Sequence, residues 1–355
     1  MLSHAANRER VATTVPRPDR ATRPDRRPNP NLWRPMDTST ILALIELNNE
    51  FYARHAESFS ATRSAPWDGW GALVRILGER GWELPALPQG TRGEAPRCSG
   101  RAPAILDLAC GNLRFERFLT EALPGSRFEF HAVDSCPALA NGAGGELASC
   151  TFHPRDILES LMSGDELIAG VPACRLSVCF GFMHHVPSAE LRQKVLDALL
   201  GHTAPEGLIV LSFWQFMNDD RLARKAARAD EALRMAIAQQ AGAGGAAIES
   251  RADDALGTAR RDIEATQLDA SHRDIEAAPL GTTPLGIDIA QLDENDHFLG
   301  WQADPSPLRY CHHFDEQEID DLVASVGTGA REVARYSADG ASGTLNRYLV
   351  LERLP

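Results

Sequence analysis

Three carboxylates stand out for where they fall in the chain. Asp107 lies in the apolar run Ala104-Ile105-Leu106-Asp107-Leu108, which leads into the small-residue turn Ala109-Cys110-Gly111-Asn112. Asp134 closes the run Phe128-Glu129-Phe130-His131-Ala132-Val133, and Asp156 follows Cys150-Thr151-Phe152-His153. The three acids are 27 and 22 residues apart. Each run reads as a strand, so the acids gather at one edge of a sheet. A turn of small residues lets a ligand lie against bare backbone. An ionised acid at Asp134 accepts two hydrogen bonds at once, which suits paired ribose hydroxyls. Asp156 can accept from an adenine amino group, with Ile157 packed beside the ring. Asp107 can order the turn or face a positively charged end of the ligand, and Phe180, closing the next apolar run, joins the set.

A ligand with a ribose, an adenine and a cationic end is S-adenosylmethionine. A single acid of this kind would be read as a strand-end cap; three in register point to the cofactor. A nicotinamide cofactor also uses a glycine loop and an acid about 20 residues on. Ala109-Cys110-Gly111-Asn112-Leu113-Arg114 lacks the required glycine spacing.

The acceptor side is read from the same edge, because ligands of open α/β sheets sit beyond the carboxyl ends of the strands. Met183-His184-His185 follows the fourth strand-like run, and Trp214 and Gln215 end the fifth. Residues 63–67 can fold over the cleft as a lid, and Arg309, Tyr310 and His312 can close its other side. For Trp67 and Trp70 a place in the core and a place on the ligand are both open. A carboxylate acceptor, with a pKa of about 4, is already ionised and needs only positioning by Arg63 or Arg309. A phenol, hydroxyl or amine needs a proton removed, for which His184 and His185 are the candidates.

The elements that must place these residues alternate. Strand-like runs cover 104–108, 127–133, 150–153, 175–182 and 207–214, with helical patterns at 113–123 and 188–200, the latter capped by Ser188. Such alternation means a parallel sheet with helices on both faces. Asp315 with Glu318 has the capping-box spacing. The runs 331–336 and 345–351 are too close to be anything but an antiparallel hairpin. Ahead of the core, apolar residues recur at helical spacing over 38–59 with Asp37 or Thr38 as cap, and a second helix follows Pro66.

Flanking segments differ in composition. Residues 1–36 are rich in Arg and Pro and read as a disordered tail, with Met36 as an alternative start. Such a tail is also a candidate basic arm for RNA. Residues 85–103 read as a linker. Residues 225–295 read as a variable, partly disordered insertion, its Ala-, Asp-, Glu- and Arg-rich part holding Arg-Asp-Ile-Glu-Ala twice, at 261–265 and 273–277. A mobile lid is the sharper alternative. The remaining blocks are 37–100, a helical lid and linker; 101–224, the cofactor-binding core; and 296–355, the end of that core.

With 355 residues, 43% hydrophobic and 24% charged, the chain has the composition of a globular protein able to bury a large core. The seven cysteines include no CxxC pair, which argues against a zinc or redox motif. With neither a bilayer-length apolar run nor a signal-like apolar core, the expectation is a cytoplasmic protein that uses no membrane. A formal charge of −13 argues against a general grip on DNA or RNA and requires any basic patch to be local or borrowed from a partner.

These motifs resemble those of the class I S-adenosylmethionine-dependent methyltransferases, over about 104–214 and the closing hairpin. The resemblance implies a Rossmann-like seven-stranded sheet, mostly parallel, with a C-terminal antiparallel hairpin. The third small residue of the family's loop is usually Gly; here it is Leu113. A narrower resemblance, to the tRNA wobble-uridine carboxymethyl methyltransferases, is carried by residues 51–67, by Met183-His184-His185-Val186, and by Trp301. It continues in Arg309-Tyr310-Cys311-His312-His313-Phe314 and Asn346-Arg347-Tyr348. It implies a carboxymethyl uridine of tRNA as acceptor and a small zinc-binding activator protein as partner. A small-molecule acid or hydroxyl is the alternative acceptor. A non-catalytic S-adenosylmethionine-binding regulatory module is the alternative of another kind.

Overall fold

A computed structural model describes residues 35–62, 65–82, 102–140, 149–235, 287–301 and 304–355. The expected tail (1–34), Arg63, most of the linker and both Arg-Asp-Ile-Glu-Ala copies lie outside these residues.

The chain opens with two helices, α1 (Thr38–Ala61) and α2 (Asp68–Glu79). Asp37 caps α1 by accepting from the Thr40 amide at 2.7 Å. The core then runs β1 (Ala104–Leu108), α3 (Arg114–Ala122), β2 (Glu129–Asp134), α4 (Pro137–Ala140), β3 (Cys150–Pro154), α5 (Ile157–Ser163) and β4 (Cys174–Cys179). It continues through α6 (Ala189–His202), β5 (Thr203–Trp214) and a helix α7 described over 220–235. Next come β6 (Asp296–Trp301), β7 (Asp304–His312), α8 (Glu316–Ser325), β8 (Ala330–Ala338) and β9 (Asn346–Arg353).

Seven strands form one sheet in the order β3-β2-β1-β4-β5-β9-β8. The first five are parallel; β9 pairs antiparallel with β5, and β8 antiparallel with β9. This is the expected Rossmann-like sheet with its closing hairpin. β1 is buried along its whole length, and its side chains alternate between faces. Leu106 and Leu108 join the core under α5, α6 and α8, while Ile105 joins the core under α2 and α3. The chain winds outward from β1 to β3 and then returns to β4 on the other side of β1. Its switch point therefore lies between β1 and β4, where such sheets open a crevice.

One part of the architecture was not visible in the sequence. β6 and β7 form a separate two-stranded ribbon rather than part of the main sheet. Phe298 and Tyr310 of this ribbon pack with Leu44 and Leu47 of α1 and with Ala229 and Leu233 of α7. The expected insertion boundary at 225 thus falls inside a packed helix, and the segment from 296 begins in this cap. Among the described residues no helix is long and apolar enough to cross a membrane.

Candidate functional site

The turn after β1 is held in an unusual backbone. Ala109, Gly111 and Leu113 all have positive φ, at 66°, 55° and 56°. Only glycine adopts this region without cost, so two of the three positions store strain. The neighbouring strand holds the turn: the Ala109 and Cys110 amides donate to the Val133 carbonyl at 2.8 and 3.0 Å. The Gly111 amide donates to Asp134 Oδ2 at 2.9 Å, and the Cys136 amide to Asp134 Oδ1 at 2.9 Å. Leu113 keeps the left-handed backbone of a glycine while burying its side chain against Cys110 and Ala132. The departure from the usual glycine therefore leaves the loop geometry in place.

Above this turn lies a cleft of about 840 Å³, a volume suited to small-molecule ligands. The expected cofactor residues Asp107, Ala109, Cys110, Gly111, Asn112, Asp134, Asp156, Ile157 and Phe180 all line it. So do His184, His185 and Arg309.

The acids do not share one role. Burial raises the Asp134 carboxyl, and the surrounding backbone amides work against that shift. Asp156 N-caps α5 through the Glu159 amide at 3.0 Å, and its other oxygen faces Asn49 Nδ2 at 3.4 Å. Its capping role is present alongside its place in the cleft. Asp107, for which ordering the turn and facing a cation were both open, is the most enclosed of the three. It is buried beside Glu116 of α3, and burial together with that neighbour raises its carboxyl well above the usual range. Burial likewise pushes Glu116 up to about 7. Asp107 and Glu116 thus sit side by side where the end of β1 meets α3.

The acceptor end also sorts the expected residues. Strand alternation on β7 turns Arg309 to the cleft and Tyr310 and His312 away from it. Tyr310 Oη donates to Asp296 Oδ1 at 2.6 Å, and His312 bridges Asp296 and Glu318, each at 2.7 Å. Trp214 lines the cleft, whereas Gln215 turns to α8, donating to the Phe314 carbonyl at 3.1 Å. His184 and His185 are both buried, their rings 4.0 Å apart, and His184 lies 4.9 Å from the Trp214 ring.

Several cleft residues were not singled out from sequence. Asn48 and Tyr52 project from α1 one turn apart, and Arg114 opens α3 directly after the loop. Arg114 lies 5.1 Å from the Trp67 ring and 5.2 Å from the Trp70 ring. Burial pushes its guanidinium down to about 10, so it stays charged at neutral pH. Trp70 is both things the sequence left open: a buried core residue and part of the cleft wall. The signal for Asn48 was its polarity at helical spacing along the apolar face of α1, and Tyr52 had in addition its place in the resembling segment 51–67.

No family model matches the chain, and no curated protein matches it. Solved structures do resemble it. An S-adenosylmethionine-dependent methyltransferase from Clostridium acetobutylicum is 10% identical, with 86% of this chain and 99% of that one covered and a TM-score of 0.44. One from Methanosarcina mazei is 11% identical, covering 72% and 94%, with a TM-score of 0.43. An amino pentose methyltransferase from Micromonospora echinaspora, solved with the cofactor bound, is 15% identical, covering 84% and 95%, with a TM-score of 0.41.

Proposed function

We propose that this chain is an S-adenosylmethionine-dependent methyltransferase. The observation that carries the proposal is the hydrogen-bonded unit of the strained 109–113 loop and the Asp134 carboxylate. That unit sits at the switch point of the sheet and forms the floor of the cleft. The Asp134 carboxylate retains acceptor capacity for ribose hydroxyls beyond its two amide bonds. The Asp156 edge and Ile157 flank an adenine slot, and the glycine backbone leaves room for the methionine end.

Bound there, S-adenosylmethionine supplies a methyl group on a sulfonium. The protein's own part is to orient and to exclude water, and correct placement of two reactants accounts for much of such a rate. Arg309 is the residue that selects the acceptor, since a buried guanidinium grips a carboxylate bidentately. We read the acceptor as a small acid. The enclosed position of Arg309 and the net charge of −13 favour it over a folded RNA. A carboxymethyl uridine of tRNA is the second reading, supported by the sequence resemblance around Tyr52, His185 and Arg309.

Calorimetry with S-adenosylmethionine tests the cofactor assignment: binding is expected, and its absence ends the proposal. Mass spectrometry of nucleosides and small metabolites from cells with and without the gene separates the acceptors. Loss of a methylated small acid is expected; loss of a wobble-uridine ester establishes the tRNA reading instead.

A further inference from the structure

Arg309 is 6% exposed, and its guanidinium lies over three rings, 5.2 Å from Phe51, 5.5 Å from Trp214 and 5.7 Å from Trp301. Tyr52 and Cys311 are its hydrogen-bonding neighbours. Its Nε is buried without a partner, and among the described residues no carboxylate pairs with it. The rings and the hydroxyl keep the cation in place without neutralising it, so it can still take an anion. The cleft therefore holds a ready anchor for an acid.

Beside that anchor is a second device. Tyr52 Oη lies 2.7 Å from His185 Nε2, and His185 Nδ1 lies 3.0 Å from the Tyr310 carbonyl oxygen. A carbonyl only accepts, and at 3.0 Å it is nearer to Nδ1 than the Asn48 side-chain amide at 3.4 Å, so we place the hydrogen on Nδ1. In the neutral ring Nε2 is then bare, and the Tyr52 hydroxyl donates to it. The same Tyr310 peptide is fixed from its other side, its amide donating to Asn48 Oδ1 at 2.8 Å. Orienter, base and hydroxyl thus stand in line and end at the cleft, with Arg309 next to the hydroxyl.

Methylating a carboxylate requires no base, since the group is ionised at neutral pH. Arg309 would suffice for that reaction, and the Tyr52–His185 line would have nothing to do. We propose that the acid is a handle held by Arg309, and that the methyl group goes to a separate hydroxyl, phenol or amine of the same small acceptor. Tyr52 takes that group's proton while passing its own to His185 Nε2. The acceptor's O–H or N–H bond breaks as its lone pair forms the new bond to the methyl carbon. The carbon–sulfur pair stays on sulfur, and the imidazolium of His185 later releases its proton to water. This inference rests on the cofactor assignment above and deepens it.

Three measurements test it. Nitrogen NMR of histidine-labelled protein is expected to show Nδ1 protonated and Nε2 accepting a hydrogen bond that Tyr52→Phe removes; a bare Nδ1 overturns the relay. Incubation with radiolabelled S-adenosylmethionine and a deproteinised extract of native cells is expected to give an alkali-stable product. Label released by alkali as methanol marks an ester and overturns the proposal. Tyr52→Phe keeps the ring and its packing on Phe51, and His185→Gln keeps a donor for the Tyr310 carbonyl but takes up no proton. Each is expected to lower turnover about 100-fold or more, the lower end of what positioned proton transfer contributes, with cofactor affinity unchanged. Wild-type rates in Tyr52→Phe overturn the proposal, as does cofactor binding without transfer to any fraction. Failure to bind the cofactor at all falls on the cofactor assignment instead.

Discussion

The Gly111 amide and Asp134 Oδ2, 2.9 Å apart, join the ends of two neighbouring strands into one rigid edge. The carboxylate thereby has two tasks: it holds the loop and it faces the cleft. Asp134→Ala removes both, and the expected loss of S-adenosylmethionine affinity is about 1.5–3 kcal/mol, the scale of a hydrogen bond to a charged group. Asp134→Asn can still accept from the Gly111 amide and is expected to lose less. Isothermal calorimetry on the two variants separates loop support from ligand contact.

Gly69 is where α2 docks on the closing hairpin. A Cβ at this position would lie 2.2 Å from Tyr348 Cζ. Tyr348 cannot step aside, because its hydroxyl donates to Asp339 at 2.6 Å and its ring stacks on Tyr336 at 4.9 Å. Gly69→Ala is therefore expected to destabilise the fold by about 1–3 kcal/mol, the usual cost of overpacking. Thermal or denaturant unfolding measures it. An unchanged midpoint would mean that α2 shifts freely on the hairpin.

The main sheet was legible because its signal is local. Long apolar runs ending in acids, with Ser188 and Asp315 as caps, announce strands and helices from their own residues. The β6–β7 ribbon was not, since 296–312 mixes His, Asp, Arg and Pro with apolar residues. Its polar positions are satisfied by cross-strand and tertiary partners that no local pattern announces. Tyr310 and His312 find Asp296 and Glu318, and His297 finds Asp230 at 2.8 Å. The pairing of Tyr52 with His185 spans 133 residues and was equally out of reach. Sequence named the loop, Asp134 and Arg309 as site residues, but the partners that give Arg309 and His185 their roles come from the tertiary fold.

His312 lies between Asp296 and Glu318, with Arg192 close to both Glu318 and Asp293. Burial lowers the imidazole, but the two carboxylates outweigh that effect and raise it above its ordinary value. The same contacts lower Asp296 and Glu318 against their burial. A raised histidine stabilises fully below the unfolded value of about 6.5, and this contribution is lost as pH rises through the higher folded value. The lowered acids stabilise above about 4 and lose that contribution as pH falls through their folded values. This network is therefore expected to contribute most between about pH 4.5 and 6.5. His312→Ala leaves two buried carboxylates facing each other and is expected to cost about 3–5 kcal/mol. It should also remove the decline on the alkaline side in unfolding curves taken across pH.

Leu113 sets two effects against each other at the loop. Its φ of 56° is a glycine conformation, and relieving that strain by Leu113→Gly is worth about 1–2 kcal/mol. The side chain, however, is only 1% exposed and packs with Cys110 and Ala132. Deleting a buried leucine side chain costs about 2–5 kcal/mol, since the cavity closes only in part. Packing wins, so Leu113→Gly is expected to lower stability by about 1–3 kcal/mol. The backbone of the loop is already in the required shape, so cofactor affinity is expected to stay within a few-fold of wild type. Unfolding and calorimetry on the same variant check both halves. A more stable Leu113→Gly protein would show that loop strain, and not the leucine core contact, governs this position.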